Sequence, residues 1–274
     1  MKPILFTFAL PWLGTIHISS FFFTIFAGAM LATLWVVRSC RSRGLSPVVG
    51  IDMGIIAMLA SVVGSRVFHI IFEYPGYYWE HPWRVFDFLS GGFVSLGAFV
   101  CTVVAWVYYF KWKGLSAAEY FDCGARGCPI IDFFVRLGCL LIGCCYGRVT
   151  ECPLHLRFPP GSTAFYFMKD APLHATQVYF MINAVIMWLG IHWWAKRRQF
   201  PGQLTALFLI WYGASRFLIE FLRGDRDRGM YLEWLVPTGI STGQFFMLLS
   251  MGAGFVLWRH WRRAHTAGGR DAAR

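Results

Sequence analysis

Seven long apolar segments, separated by short charged connections, constrain the fold of this chain more than any other feature. The segments cover residues 16–37, 48–72, 88–110, 128–143, 177–194, 203–221 and 241–258. A run of about 20 apolar residues is long enough to cross the hydrocarbon core of a bilayer as a helix. The fourth segment is the weakest, because Asp132 and Arg136 interrupt it. The pattern predicts an all-α integral membrane protein with seven transmembrane helices.

The composition is that of a protein whose surface faces lipid. Of the 274 residues, 57% are hydrophobic and only 14% are charged, whereas soluble domains contain about 25% charged residues. The net charge of +11 would suggest a nucleic-acid partner in a soluble protein. Membrane proteins, however, collect lysine and arginine in their cytoplasmic loops. We therefore expect membrane lipids around this chain and no nucleic-acid partner.

The basic residues fall on alternate connections and so predict an orientation. Lysine and arginine cluster after the first, third, fifth and seventh segments, and the other connections carry mixed charge. The positive-inside rule then places the N-terminus outside and the C-terminus in the cytoplasm. The long connection of residues 144–175 is expected to form a small head on the outer side. Residues 1–262 form one domain, and the basic residues 263–274 are predicted to be a disordered cytoplasmic tail.

Ionisable residues inside the apolar segments are the first candidates for a functional site, because charges at membrane depth are costly and face a cavity or a partner. Arg216, Glu220 and Arg223 recur at helical spacing in the sixth segment and share one stripe. Arg66 lies in the second segment and Arg136 in the fourth. Either these residues form a salt-bridge ladder between helices, or they form a cationic recess for an anionic head group. Arginine pairs bidentately with phosphate, and arginines on several helices favour a lipid phosphate.

The eight cysteines allow several interpretations. Cys123 and Cys128 form a lone C-x4-C pair, which supplies too few ligands for zinc, so we expect no metal and no cofactor. Cys144, Cys145 and Cys152 fall at the outer end of the fourth segment, where oxidation is possible. We expect a disulfide from Cys152 to Cys145 or to Cys144. Nucleophilic catalysis by Cys145 is the weaker hypothesis, because no flanking base is evident.

Five short motifs follow one another along the chain: GSR, SGGFVSLG, RLGCLLIGCCYGR, LHATQVY and YGASRFLIEFLRGD. In this order and topology the chain resembles the prolipoprotein diacylglyceryl transferase family over nearly its whole length. The resemblance implies a multi-pass enzyme of the bacterial inner membrane, with a periplasmic N-terminus. Such an enzyme transfers the diacylglyceryl group of phosphatidylglycerol to the lipobox cysteine thiol of a prolipoprotein and releases glycerol phosphate. The implied partners are phosphatidylglycerol, the prolipoprotein signal peptide and membrane lipids.

The resemblance also implies which residues form the site. Catalytic roles are expected for Arg136, Arg216, Glu220 and His174. Phospholipid binding is expected for Arg66, Gly91, Gly92, Gly138, Gly143, Gly147, Gln177, Tyr179 and Arg223.

Several positions depart from the family pattern. The third-segment motif of the family has a histidine assigned to catalysis, and Leu96 occupies that place here. Cys139 stands at the asparagine of the R-x-G-N motif, and Cys144 stands at an acidic position further along. The chain keeps the arginines expected to bind phosphate but lacks polar groups near the expected chemistry.

Two hypotheses follow from these departures. The chain is either a divergent transferase, in which His174, Glu220 or Tyr146 helps to deprotonate the acceptor thiol, or a lipid-binding or complex-associated membrane subunit without turnover. A cationic field lowers the pKa of a thiol, so the first hypothesis does not require the family histidine. A transporter or channel fits less well, because no segment carries a run of polar groups.

Overall fold

The computed structural model describes residues 4–10, 14–87, 92–153, 155–224 and 241–271, and these are mainly helical. The helices in these ranges are α1 (Ser20–Arg41), α2 (Pro47–Phe68), α3 (Pro75–Glu80), α4 (Ser95–Trp112), α5 (Ala117–Ile142), α6 (Thr163–Met168), α7 (Thr176–Ala195), α8 (Gln203–Glu220) and α9 (Thr242–Asp271). A π-helical turn (His69–Glu73) continues α2, and a 3-10 turn (Pro82–Phe86) follows α3. The strands are β1 (Ile4–Leu10), β2 (Gly14–Ser19), β3 (His155–Leu156) and β4 (Leu173–His174).

Each apolar segment contains one long helix, so the prediction of a mostly helical membrane protein is confirmed. Within the described ranges, α1, α2 with its π-helical turn, α4 and α7 are long and apolar enough to cross a membrane. Large apolar side chains point outward from these helices, and Leu59 of α2 is 65% exposed. Exposed apolar surface is unfavourable in water by about 25 cal/mol per Å². These helix surfaces are therefore suited to lipid.

The structure departs from the sequence prediction at both ends of the chain. The first helix begins at Ser20 rather than at residue 16, because β2 pairs with β1 in an antiparallel hairpin. The side chain of Ser19 accepts a hydrogen bond from the Phe21 N–H and caps the helix. The last helix continues to Asp271, through most of the segment for which composition predicts a disordered tail. Arginine and alanine, which are frequent there, are strong helix formers.

Asp122 of α5 connects three parts of the fold. Its buried carboxylate accepts hydrogen bonds of 2.9 Å from the N–H groups of Gly202 and Thr205 and from the Thr205 hydroxyl. Arg198 Nε lies 2.8 Å from the same carboxylate, and Arg43 Nη1 lies at 3.7 Å. The helix α5 begins at Ala117, 11 residues before the fourth apolar segment, so Asp122 lies inside the helix. Its partners satisfy the charge of the carboxylate there. The carboxylate holds α5 against the start of α8 and the turn after α1.

Residues 144–175 form the compact head expected in this connection. Tyr146, Phe158, Ala164 and Leu173 pack into one buried cluster. The strands β3 and β4 pair antiparallel, with His155 opposite His174. The head therefore has its own small core, next to the end of α5 and the start of α7.

We expect Asp122→Ala to destabilise the protein strongly, because Arg198 and Arg43 lose their fully buried carboxylate partner and keep only Glu119 among the described residues. The N–H groups of Gly202 and Thr205 also lose their acceptor. Breaking a buried pair in this way costs about 3–5 kcal/mol. Equilibrium unfolding in mixed detergent–SDS micelles measures the effect. Asp170→Ala is the control: its carboxylate pairs with Arg157 at 2.8 Å but is 71% exposed, and such pairs contribute about 1 kcal/mol or less. Equal stability of the two variants would contradict the role of Asp122.

Candidate functional site

The site begins at a sharp turn after α5. Gly143 ends the helix in the left-handed conformation (φ 81°), which favours glycine. Its N–H donates to the Cys139 carbonyl at 2.8 Å. Cys145 also has a positive φ of 58°, which is uncommon for a residue other than glycine. The chain therefore reverses and brings the sulfurs of Cys144 and Cys145 back to Cys139. Gly143 was expected to bind phospholipid, and in the structure it forms this turn.

The start of α7 holds the turn in place. The Thr176 hydroxyl donates to the Cys145 carbonyl, and Gln177 Nε2 donates to the Cys144 carbonyl, both at 2.7 Å. Both side chains are fully buried. Gln177 thus positions the backbone, while its Oε1 is buried without a hydrogen-bond partner among the described residues.

Two arginines from different helices meet over one aromatic ring. Arg136 of α5 is only 5% exposed, and its guanidinium carbon lies 4.2 Å from the ring centroid of Phe180 in α7. The guanidinium of Arg216 in α8 lies 5.5 Å from the same centroid. Arg216 Nη1 donates to the Tyr212 hydroxyl at 3.2 Å. The structure thus brings together the two arginines that the sequence analysis identified as catalytic.

The two guanidinium groups have less negative charge around them than they carry. Asp132 Oδ1 lies 3.7 Å from Arg136 Nε, which is beyond hydrogen-bond distance. Arg136 Nε is buried without a hydrogen-bond partner in the described part of the chain. In the same ranges Arg216 forms no ion pair with a carboxylate. Two cations with one carboxylate in a shielded site attract an anion, because charges interact more strongly there than in water.

At the other end of the α8 stripe, Glu220 and Arg223 pair with each other, and this ion pair does not link two helices. Glu220 is buried, and its Oε2 lies 3.3 Å from Arg223 Nη1. Arg223 forms an antiparallel β-bridge with Gly147 in the head. A Cβ atom at Gly147 would lie 2.6 Å from the His174 carbonyl and 2.9 Å from the Leu222 carbonyl. Gly147 is therefore required where three chain segments meet, and Arg223 lies at that junction.

His174 lies in the head beside this junction. Its backbone N–H donates to the Arg148 carbonyl at 3.0 Å, and its carbonyl accepts from the Gly147 N–H at 3.0 Å. Its Nδ1 lies 3.3 Å from the Tyr179 hydroxyl. The imidazole is half-buried, and its Nε2 has no hydrogen-bond partner among the described residues. Tyr179 thus orients an imidazole that retains one free nitrogen.

The expected role of Arg66 in binding phosphate is corrected by its contacts. Its buried guanidinium donates to backbone carbonyls of the loop after α3: Arg84 at 2.7 Å, Asp87 at 2.8 Å, Val85 at 3.3 Å and Gly92 at 3.4 Å. These donors hold a loop rather than point into an open recess. The structure therefore assigns Arg66 to the shape of this loop.

The glycines expected to contact lipid have other contacts. Gly91 lies outside the described residues. Gly92 has a φ of 78°, and a Cβ there would overlap the ring of His69. A Cβ at Gly138 would lie 2.5 Å from Thr24 Oγ1 in α1, so Gly138 allows α1 and α5 to pack closely. Gly92 and Gly138 were expected to contact lipid, but in the structure Gly92 packs against His69 and Gly138 packs against α1.

The catalytic prediction did not include the pair of His69 and Glu73. His69 Nδ1 is hydrogen-bonded to the Glu73 carboxylate within the π-helical turn. Their i, i+4 spacing places both side chains on one face of a helix. This spacing is the feature of the sequence that could have predicted the pair.

The predicted disulfide of Cys145 or Cys144 with Cys152 is not formed in the structure, in which all eight cysteines are free. The positive φ of Cys145 turns its sulfur toward Cys139 and Cys144, and the three Sγ atoms lie within 4.8 Å of one another. Cys152 belongs to a separate turn, where its N–H donates to Thr150 Oγ1 at 3.1 Å. Sequence spacing did not reveal this cluster, because it depends on the reversal of the chain after the helix.

Arginines that converge inside a bundle of helices with lipid-facing surfaces, next to a small head, define a membrane protein with buried positive charge. The family model described as prolipoprotein diacylglyceryl transferase matches residues 8–260, and the chain belongs to this family. The resemblance inferred from the five motifs is thereby confirmed.

Relatives with this activity in their names match nearly the whole chain. The phosphatidylglycerol–prolipoprotein diacylglyceryl transferase of Clostridium tetani is 26% identical over 258 residues, which are 94% of this chain and 97% of the relative. The enzyme of that name numbered 2 from Clostridium perfringens is 28% identical, covering 89% of this chain and 91% of its own length. The relative from Cupriavidus metallidurans is 28% identical, with 93% and 90% covered. Family membership supports a transferase.

Thiol analysis tests the arrangement of the cysteines. We expect Cys145 and Cys152 to be alkylated without prior reduction when the protein is denatured in the presence of a chelator, because they belong to different turns. Mass spectrometry of the alkylated peptides makes the measurement, with Cys101 of α4 as an internal reference for a free thiol. A linked peptide that contains both Cys145 and Cys152 would contradict the structure.

Proposed function

We propose that this protein transfers the diacylglyceryl group of phosphatidylglycerol to the lipobox cysteine thiol of a prolipoprotein, with release of glycerol phosphate. The observation that carries the proposal is the meeting of Arg136 and Arg216 over Phe180. The phosphate of phosphatidylglycerol is an anion that arginine binds through paired N–H donors. Family membership supports the same reaction.

In this proposal the arginine pair acts on the leaving group. The bond between the glyceryl carbon and the phosphate oxygen breaks, and negative charge grows on the phosphate. Guanidinium groups fixed beforehand stabilise that charge without having to reorganise during the reaction. The Tyr212 hydroxyl and the Phe180 ring would keep Arg216 and Arg136 in position.

His174 is proposed to accept the proton of the acceptor thiol. Histidine is the side chain that most often transfers protons in catalysis, and the acceptor thiol must lose its proton to act as a nucleophile. The free Nε2 of His174 and the orientation of its ring by Tyr179 support this role. Glu220 is proposed to act through Arg223, which it holds beside the head. Gln177, Gly143 and Gly147 are proposed to shape the recess.

We further propose seven transmembrane helices, a periplasmic N-terminus and a cytoplasmic C-terminus in the bacterial inner membrane. The described ranges contain seven long helices, four of which are suited to span a membrane, and basic residues fall on alternate connections. These features support the arrangement. The head at residues 144–175 would then lie at the periplasmic surface. A prolipoprotein signal peptide would reach the recess from within the same bilayer.

We expect Arg216→Ala to reduce transfer about 100-fold or more, which is the usual effect of removing one donor to a developing anion. The assay supplies phosphatidylglycerol and a lipobox peptide to the purified protein and measures glycerol phosphate. Arg216→Lys should restore only part of the rate, because lysine keeps the charge and loses the paired donors.

Arg197→Ala is the matched control, since this exposed arginine stacks on Trp193 at 3.8 Å at the opposite end of α7 from Phe180. It should transfer at the wild-type rate. Wild-type transfer by Arg216→Ala would exclude the phosphate role. If the wild-type protein binds phosphatidylglycerol but releases no glycerol phosphate, the result would instead favour a lipid-binding subunit without turnover.

A further inference from the structure

Three thiols meet at the end of α5, within the site but without a part in the mechanism above. The Sγ atoms of Cys139, Cys144 and Cys145 lie within 4.8 Å of one another. A zinc–sulfur bond is about 2.3 Å long, so two thiolates on one tetrahedral zinc ion lie about 3.8 Å apart. Small side-chain rotations would bring the three sulfurs to that spacing. The cluster therefore has the size of a three-thiolate ligand set.

The fold holds these thiols together before any ligand binds. Cys139 is fixed on the last turn of α5, while Thr176 and Gln177 bind the carbonyls of Cys145 and Cys144. The positive φ of Cys145 is an unfavourable conformation for a residue other than glycine. Such a conformation persists only where the surrounding contacts enforce it. Here the enforced conformation turns a third sulfur toward the other two.

Positive charge lies beside the cluster. Arg136 and Arg223 act electrostatically on the Cys145 sulfur, and Arg136 acts on the Cys139 sulfur as well. Metal ions bind cysteine as the thiolate. A zinc ion with three thiolates carries one net negative charge, and the two guanidinium groups would offset it. The surroundings are therefore suited to an anionic metal centre.

We propose that Cys139, Cys144 and Cys145 form a zinc site that binds the acceptor thiol as its fourth ligand. Three protein ligands with one open position are typical of catalytic zinc. Cys144 and Cys145 are only partly buried, so the open position can face an incoming peptide. A thiol that coordinates zinc loses its proton. The site thus supplies the acceptor as a thiolate, and this part of the inference rests on the transferase function proposed above.

The transfer step balances without any further reactant. On coordination, the proton of the acceptor thiol passes to His174 and then to water. A lone pair of the zinc-bound sulfur forms the bond to the glyceryl carbon, while the bond from that carbon to the phosphate oxygen breaks. The electron pair of the broken bond leaves with glycerol phosphate. The product is an uncharged thioether, a weaker zinc ligand than a thiolate, so it dissociates and reopens the position.

Metal analysis of the full-length protein in detergent tests the site directly. We expect about one zinc ion per chain after purification with zinc present. Replacement by Co²⁺ should give a sulfur-to-cobalt charge-transfer band in the near ultraviolet. The double variant Cys139→Ser, Cys145→Ser should lose both signals, and the control Cys152→Ser should keep both. Absence of zinc and of the cobalt band in the wild-type protein, or a disulfide between two of the three thiols, would overturn the site.

Thiol protection in the wild-type protein provides a test that does not depend on the folding of a variant. The partly exposed Cys144 and Cys145 should resist maleimide when zinc is bound and should react after chelation, whereas Cys152 should react equally in both states. Equal labelling of these three with and without zinc would also overturn the site.

The role of zinc in transfer is tested with the cobalt-substituted protein. A lipobox peptide should intensify the charge-transfer band, and the same peptide with serine in place of cysteine should not. Removal of the metal should lower transfer at least tenfold, and zinc should restore it. Full transfer by the metal-free protein would overturn the inference and leave the proposed function intact. A metal site that binds the peptide thiol without release of glycerol phosphate would support the site and count against the transferase function.

Discussion

The docking of the turn after α5 onto the start of α7 and the end of α8 is the interaction on which the rest of the site depends. Thr176 and Gln177 bind the carbonyls of Cys145 and Cys144, and Gly147 bridges to Arg223. Because the turn is tied to both helices, α5 cannot shift independently of α7 and α8. The relative positions of these helices in turn place Arg136 and Arg216 beside the same ring of Phe180.

The two ends of the helical bundle use buried charge differently. Around Asp122, a buried carboxylate has two arginines and three hydrogen-bond donors as partners, so the charge is satisfied within the chain. Around Phe180, Arg136 has one carboxylate, Asp132, at 3.7 Å, and Arg216 forms no ion pair with a carboxylate among the described residues. A satisfied network stabilises a fold, whereas an unbalanced one attracts a ligand of opposite sign. The unbalanced positive charge therefore lies at the end of the bundle that carries the head.

Hydropathy predicted the helices well and the site contacts poorly. The predicted segment 203–221 agrees with α8 (Gln203–Glu220) to within one residue. The agreement follows because helices that face lipid need long apolar runs. Arg66 was wrongly expected at the phosphate, since its carbonyl partners come from a loop that carries no sequence signal for this contact. The thiol cluster was missed because it depends on the backbone conformation of Cys145. Cys139 and Cys144, which depart from the family pattern, both belong to this cluster.

The central claim is that Arg136 and Arg216 bind one phosphate together, and a double-mutant cycle on phosphatidylglycerol binding tests it most directly. Equilibrium binding to the wild-type protein, Arg136→Ala, Arg216→Ala and the double variant would be measured at one salt concentration. Each single variant should bind phosphatidylglycerol at least about tenfold more weakly than the wild-type protein. The affinity of the double variant should fall by much less than the product of the two single losses, because residues with a shared partner are coupled. Independent, multiplicative losses, or unchanged affinity in either single variant, would contradict a shared phosphate.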